Sequence, residues 1–170
     1  MNTSISKDSS RASSVSELTK MSLVAALYVA VTVLLSVISF GAIQLRLSEM
    51  FNYLALYNKR YVIAVTLGVI LANFMSPTWV MDVPIGGIST FLVLILCRAV
   101  TKKLKNDILK ISITALIFAL SMFTVAGQLT ILYDLPFWPT YFTVGLGELL
   151  SMTVGGIAIY FIKKKVDLTK

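Results

Sequence analysis

The sequence has no histidine and a single cysteine, Cys97, among its 170 residues. These shortages exclude a His/Cys metal centre, a disulfide framework and a Cys–His nucleophilic pair. Cys97 lies in an apolar run, and we interpret it as a small hydrophobic residue in a helix. The sequence also lacks a Gly-x-x-x-x-Gly-Lys-Ser/Thr phosphate-binding loop. We therefore expect neither an enzyme nor a chain that carries a cofactor or hydrolyses ATP itself.

Charge is scarce, because only 14% of residues are charged while 57% are hydrophobic. Soluble domains are typically about 25% charged. Residues 21–45, 61–81, 83–97 and 111–133 carry no charge, and residues 135–162 carry only Glu148. Runs of this length predict transmembrane helices. The pattern predicts an all-α integral membrane protein with six crossings, at about 21–40, 45–58, 61–75, 83–99, 108–128 and 138–162.

The basic residues lie at the ends of the apolar runs, which is the positive-inside pattern and not that of a nucleic-acid-binding protein. With both termini in the cytoplasm, 14 of the 15 basic residues fall inside and only Arg46 falls outside. Segment 45–58 is short. If it did not cross the membrane, however, most of the basic residues that follow it would lie outside, and the positive-inside asymmetry would be inverted. We expect a polar, mostly disordered cytoplasmic tail over residues 1–20, a membrane domain over 21–165 and a second cytoplasmic tail over 166–170.

Glu148 lies about ten residues into the last helix, so about 15 Å deep. A charge at that depth costs at least about 2.5 kcal/mol and must face a cavity or a partner. No basic residue is available at that depth in the sequence. The expected partner is therefore water, a proton or a ligand.

Other polar residues fall toward the outer face. One helix face carries Arg46, Glu49 and either Asn52 or Tyr53. Two interpretations are open: a local Arg46–Glu49 ion pair, or a polar stripe that contacts a ligand. Two prolines and a glycine pair predict a non-helical stretch over residues 73–87. Within that stretch Asp82 caps segment four, binds a ligand, or does both.

The last outer loop is predicted to hold Gln128, Tyr133, Asp134, Trp138 and Tyr141. Its aromatic residues form a membrane-interface belt, or Trp138 stacks on a planar ligand. The outer side thus combines several carboxylates, amides and aromatic residues with only one arginine. Such a set suits a small planar cation as the ligand.

Two ladders of small residues recur every four positions, which allows close approach of helices in lipid. One consists of Ser22, Ala26 and Ala30, and the other of Gly147, Ser151 and Gly155. Either ladder serves internal packing, or the first one docks a second membrane protein.

The stretches 40–49 (FGAIQLRLSE), 81–87 (MDVPIGG) and 145–148 (GLGE) resemble the QueT family. Members of this family are substrate-binding S components of energy-coupling factor (ECF) transporters assigned to queuosine precursors. The resemblance implies a multi-pass protein of the bacterial cell membrane, with six helices, cytoplasmic termini and a pocket near the outer face. It also implies partners: a membrane-embedded coupling subunit, docked on Ser22, Ala26 and Ala30, and two ATPase subunits.

The resemblance further implies a 7-deazaguanine ligand, 7-aminomethyl-7-deazaguanine first of all. Two carboxylates, Glu49 and Glu148 with Asp82 as a third candidate, are expected to hold the base edge and the aminomethyl group, with their roles unassigned. The amides expected at the ring carbonyl are Asn52, Asn73 and Gln128. Trp138 is the expected stacking residue, and Arg46 is a further residue of the pocket. Two alternatives stay open: an S component for a different vitamin or base, and a stand-alone proton-coupled carrier in which Glu148 titrates.

Overall fold

The fold is all-helical over the residues that the structure, a computed structural model, describes, which are 2–40 and 44–169. The helices in chain order are α1 (Asn2–Leu34), α2 (Ser36–Ser39), a 3-10 helix (Leu47–Tyr53), α3 (Leu54–Tyr57), α4 (Arg60–Asn73), α5 (Trp79–Thr101), α6 (Asp107–Ser121), α7 (Phe123–Tyr133) and α8 (Phe137–Lys163). The all-α prediction is confirmed. Part of the family motif, residues 41–43, and the outermost residue of each predicted tail lie outside the described residues.

Helix α1 is longer than predicted. It begins at Asn2, whereas a mostly disordered tail was expected over residues 1–20. The sequence contains no proline or glycine before Gly41, so nothing in its covalent chemistry stops the helix from extending outward from its apolar part. The apolar portion long enough to cross a membrane is Ser14–Leu34. The membrane-domain boundaries at residues 21 and 165 stay predictions.

The bundle has its small and polar residues inside and its large apolar residues outside, as α8 shows most clearly. Its buried face consists of Val144, Gly147, Glu148, Ser151, Met152, Gly155, Gly156 and Ile159. Its exposed face carries Phe142, Leu146, Leu150, Val154, Ile157 and Phe161. In water such an exposed stripe would be costly, but in lipid it is the favourable arrangement. The molecule is therefore a multi-pass membrane protein.

The two ladders of small residues have different positions. The α8 ladder is internal, and an added Cβ on Gly155 would lie 2.6 Å from the Cβ of Met50 in the 3-10 helix. The α1 ladder faces outward, since Ser22, Ala26 and Ala30 are all exposed. Helix α1 packs on α4 through its other face, where Gly68 leaves room for Tyr28. Internal packing thus accounts for the α8 ladder only.

Four stretches in the described part of the chain are long and apolar enough to cross a membrane. They are Ser14–Leu34, Trp79–Thr101, Asp107–Tyr133 and Phe137–Lys163. The other two predicted crossings are shorter. The 3-10 helix and α3 have seven and four residues and together span about 20 Å, and the 14 residues of α4 span about 21 Å. Each is less than the roughly 30 Å of a hydrocarbon core.

The two short segments nevertheless run between opposite ends of the bundle. At one end, which we call the basic end, Arg60 pairs with Glu17 at 3.4 Å. Nearby, the ammonium of Lys163 lies 4.7 Å from the ring centroid of Tyr57 and 2.5 Å from the carboxylate of Asp107. At the other end, the start of the 3-10 helix and the end of α4 line a common cavity. The short pieces therefore connect the two ends.

Helix α5 begins earlier than predicted. It starts at Trp79 and contains Pro84 and Gly86, so the non-helical stretch is confined to residues 74–78 instead of 73–87. Asp82 accordingly lies in the first turn of α5 and is not its N-cap, which is Thr78. The helix start is held by local side-chain hydrogen bonds from Ser76 and Thr78 to Asp82, which favour the helix against the breaking tendency of proline and glycine.

Candidate ligand cavity

A cavity of about 570 Å³ opens at the end of the bundle opposite the basic end. This volume suits a drug-sized or nucleobase-sized ligand. Six of the eight predicted ligand-binding residues line it: Arg46, Glu49, Asn73, Asp82, Gln128 and Glu148. They come from the 3-10 helix and the residue before it and from α4, α5, α7 and α8, so the fold brings together residues far apart in sequence. Asn52 and Trp138 do not line the cavity.

The 3-10 helix explains the polar stripe at its start. With three residues per turn, positions i, i+3 and i+6 share one face, which places Arg46, Glu49 and Asn52 in a row. An α-helix would also have allowed Tyr53, but its hydroxyl instead donates to the carbonyl of Met152 at 2.8 Å. The row therefore ends with Asn52, which lies buried behind Glu49.

Glu49 is held from three sides. The hydroxyl of Tyr28 donates to its Oε1 at 2.7 Å, and the amide of Asn52 donates to its Oε2. The guanidinium of Arg46 lies 3.9 Å from Oε1 and stacks 5.3 Å from the ring centroid of Phe40. The local Arg46–Glu49 ion pair anticipated from the sequence is therefore present, at the wall of the cavity. The charge of Glu49 is largely compensated within the protein.

Glu148 has the opposite environment. Its side chain is only 4% exposed, and its Oε1 is buried without a hydrogen-bond partner among the described residues. No lysine or arginine of the described chain lies within ion-pair distance of it. Glu148 is thus a buried carboxylate on the cavity wall that the protein itself leaves unpaired.

Asp82 connects four parts of the chain. One carboxylate oxygen accepts from the amide of Gln128 on α7, and the other accepts from the hydroxyls of Ser76 and Thr78. Its main-chain carbonyl accepts from Nδ2 of Asn73, at the end of α4, at 2.8 Å. The carboxylate therefore already accepts three hydrogen bonds from the protein.

The two amides bound to Asp82 belong to residues that line the cavity, and neither amide oxygen accepts a hydrogen bond from a described residue. Oδ1 of Asn73 is buried and has no partner, while its nitrogen is occupied by the Asp82 carbonyl. Oε1 of Gln128 likewise receives no donor from any described residue, and its nitrogen is occupied by the Asp82 carboxylate. With the unpaired Glu148, the cavity therefore offers several free hydrogen-bond acceptors.

The cavity wall carries three carboxyl groups and one guanidinium. Within the described ranges, no group of histidine, cysteine and acidic residues is arranged to hold a metal ion. A wall of this kind favours an organic cation with several N–H donors over an anion.

The model of the QueT transporter family matches residues 18–165. The chain belongs to the QueT transporter family. A QueT relative, the queuosine precursor transporter QueT of Lactococcus lactis subsp. cremoris (strain MG1363), is 40% identical over 163 residues. The alignment covers 91% of this chain and 96% of the relative. No solved structure matches the chain.

In this QueT member Trp138 does not line the cavity. It is 65% exposed on the first turn of α8 and packs edge-on against Phe137 and Tyr141, with ring centroids 5.2 and 6.5 Å away. This arrangement fits the interfacial belt anticipated as the alternative. The aromatic rings that do line the QueT cavity belong to Phe40, Phe118 and Tyr133.

Several QueT cavity residues were not identified from the sequence. Ser76, Thr78, Ser89 and Thr90 supply hydroxyls to the wall, and Tyr28 supports Glu49 from α1. A signal for Tyr28 existed, because Tyr28 and Thr32 lie one turn apart on the buried face of an otherwise apolar helix, and Thr32 bonds Ser48 at 2.6 Å. The other hydroxyls lie in apolar segments, where serine and threonine usually bond their own helix.

Proposed function

We propose that this QueT protein is the substrate-binding S component of an ECF importer and captures 7-aminomethyl-7-deazaguanine from outside the cell. Membership in the QueT transporter family and the name of the Lactococcus lactis relative support a queuosine precursor as the ligand. The observation that carries the proposal is Glu148, a buried carboxylate on the cavity wall without a hydrogen-bond partner for its Oε1 among the described residues.

The chemistry of the ligand matches the wall. The proposed base carries a ring N–H beside an exocyclic amine and, on its other side, a charged aminomethyl group. All of these are donors, and the free groups of the cavity are acceptors on Glu148, Asn73 and Gln128. Glu148 takes the ammonium in this proposal, because an unpaired buried carboxylate gains most from an opposite charge. Glu49, already compensated by Arg46, is left to the base edge.

Calorimetric titration of the detergent-solubilised chain tests this proposal, with 7-aminomethyl-7-deazaguanine, guanine and thiamine as ligands. We expect selective binding of the first. Glu148→Gln should weaken it by at least about thirtyfold, because breaking a buried charge pair costs roughly 2–5 kcal/mol. The variant without ligand should be no less stable to heat, since it no longer buries an unpaired charge.

Asp134→Asn is the matched control, because Asp134 is an exposed carboxylate at the end of α7 that does not line the cavity. It should bind like the unmodified chain. Selective binding that Glu148→Gln leaves unchanged would keep the ligand and reject the site. A folded chain that ignores the deazaguanine would reject the ligand.

The proposal assigns ligand binding and ATP hydrolysis to different subunits, and this is the division of labour it requires. The chain binds the ligand but no ATP, and a membrane-embedded coupling subunit with two ATPase subunits drives release on the cytoplasmic side. The exposed ladder of Ser22, Ala26 and Ala30 on α1 is the proposed docking face for the coupling subunit. Hydrolysis of ATP by the purified chain alone would contradict this division.

A further inference from the structure

We infer that Asp82 is a positioning residue that makes the cavity selective for ligands with N–H donors on their edge. It does so by binding the amide nitrogens of Asn73 and Gln128, so that the oxygen of each amide is the end left without a protein donor in the described part of the chain. The inference rests on the proposed function, since it concerns how the same cavity distinguishes one base from another. It assigns Asp82 a role different from direct ligand contact.

The first step is the orientation of Gln128. An amide side chain can donate through nitrogen or accept through oxygen, and its partners decide which end points where. The carboxylate of Asp82 can only accept while it is ionised. It therefore binds the nitrogen of Gln128, a residue that lines the cavity, and leaves the oxygen without a donor among the described residues. The other carboxylate oxygen is occupied by Ser76 and Thr78, which keeps the group in place.

The second step is the orientation of Asn73. Its nitrogen donates to the main-chain carbonyl of Asp82 at 2.8 Å, and a carbonyl can only accept. Its oxygen is thus fixed on the opposite side, buried and unpartnered. The close approach depends on Gly86, because an added Cβ there would collide with the Asn73 nitrogen. The carboxylate and the carbonyl of one residue thus orient both amides.

The consequence is a rule for ligand chemistry. An exocyclic amine or a ring N–H on the ligand meets an oxygen, whereas a carbonyl in the same place faces another oxygen and leaves both buried without a donor. Planar bases with an amino group on their edge should therefore bind, and analogues with a carbonyl there should be rejected.

The test compares ligands that differ in one edge group: 7-aminomethyl-7-deazaguanine, the same compound without its 2-amino group, and the 7-deazaxanthine form with a carbonyl in its place. The folded chain should prefer the amino compound over the carbonyl compound by at least about thirtyfold. Asp82→Asn should reduce that preference by about tenfold, because asparagine can donate and lets Gln128 turn its nitrogen to the cavity.

Gly86→Ala is a second test variant, since it should displace Asn73 and also reduce the preference for the amino compound over the carbonyl compound. Asp134→Asn and Gly127→Ala are the matched controls; Gly127 has open space where a Cβ would be added. The ratio between ligands is the readout because general damage to the fold lowers affinity for all three alike. An equal loss for all ligands in both variants would show that Asp82 and Gly86 act only on structure.

Pairing guanine with xanthine separates this inference from the proposed ligand. If the chain binds guanine over xanthine but ignores the aminomethyl compounds, the proposed ligand is wrong and the donor rule stands. If it binds the aminomethyl compounds without regard to the edge group, the ligand class stands and the inference is overturned. If it binds none of the bases, both are overturned.

Discussion

Glu49 and Glu148 are both buried carboxylates on the cavity wall, and they differ in what the protein provides for them. Glu49 has two hydrogen-bond donors and a guanidinium within 3.9 Å. Glu148 has none of these among the described residues. A carboxylate that is already compensated can tolerate an empty cavity, whereas one without partners makes the empty state costly. Ligand binding should therefore relieve Glu148 more than Glu49.

Tyr28 should matter to the cavity through Glu49. Tyr28→Phe removes the donor to Oε1 and leaves a buried carboxylate oxygen unsatisfied, which typically costs about 1–3 kcal/mol. We expect ligand affinity measured by calorimetry to fall about tenfold, because Glu49 can then rotate away from the wall. The control is Tyr141→Phe, a half-buried tyrosine outside the cavity lining whose hydroxyl donates to the carbonyl of Leu120. Lower heat stability with unchanged affinity would limit Tyr28 to a structural role.

At the residue scale, the sequence predicted those groups that a local feature reveals, which is either the energetic cost of a charge in an apolar segment or a regular spacing. Glu148 was identified because a charge deep in an apolar run demands a partner, and Arg46 with Glu49 because of their spacing. Hydroxyls such as those of Ser76 and Thr78 were missed, because no spacing pattern in the sequence marks their local bonds to Asp82. The bond from Gln128 to Asp82 joins residues 46 positions apart and exists only after the helices pack, so the sequence could not show it.

At the element scale, the unusual feature is the pair of short segments, the 3-10 helix with α3 and then α4. Neither reaches across a full hydrocarbon core by its length, yet each connects the two ends of the bundle. The end of the first is held at the basic end, where Arg98 donates to the carbonyl of Ala55 and Asn58 donates to that of Thr169 at 2.9 Å. A shorter span is tolerated where its other end borders a water-filled recess, here the cavity.

Cysteine labelling tests the six-crossing topology in a Cys97→Ala background. Lys59→Cys, after the first short segment, and Lys103→Cys, between α5 and α6, are both exposed positions. If both short segments cross, a membrane-impermeant maleimide should label neither in intact cells, and both after permeabilisation. Asp134→Cys, at the other end, should react in intact cells. Labelling of Lys59→Cys from outside would show that the short segments form a re-entrant pair.

Element types followed from the sequence better than element boundaries did. The long uncharged runs predicted the long helices because lipid imposes their length. The beginning of α5 was placed too late, because Pro84 and Gly86 are breakers in isolation while the bonds around Asp82 hold that turn. The 3-10 geometry of Leu47–Tyr53 was not predicted either, since three-residue and 3.6-residue periods differ by only about one position over two turns.

At the scale of the whole molecule, α1 separates two kinds of contact. One face buries Val24, Ala25, Tyr28 and Thr32 against the rest of the bundle. The other leaves the ladder of Ser22, Ala26 and Ala30 open along the apolar part of the helix. Since the ladder contributes nothing to packing within the chain, a large side chain there should leave the fold and the cavity unaffected. This makes the proposed docking face testable apart from ligand binding.

Ala26→Leu should therefore block assembly without affecting the cavity. Leucine at the centre of the ladder prevents the close backbone approach that small residues allow between helices in lipid. In cells that co-express the ECF coupling and ATPase subunits, we expect the amount co-purifying with the chain to fall by about tenfold or more, a change of about 1.4 kcal/mol, with a parallel loss of uptake. Calorimetry on the isolated variant should give an unchanged ligand affinity.

Ala99→Leu is the matched control, because Ala99 is an exposed alanine on α5 outside the ladder. It should assemble and transport like the unmodified chain. If Ala26→Leu assembles normally while Ala99→Leu does not, the partner docks on α5 and the α1 face is wrong. If both variants assemble and transport normally, α1 does not form the docking surface and its open ladder faces only lipid. Loss of ligand affinity in Ala26→Leu would mean that the two faces of α1 are not independent.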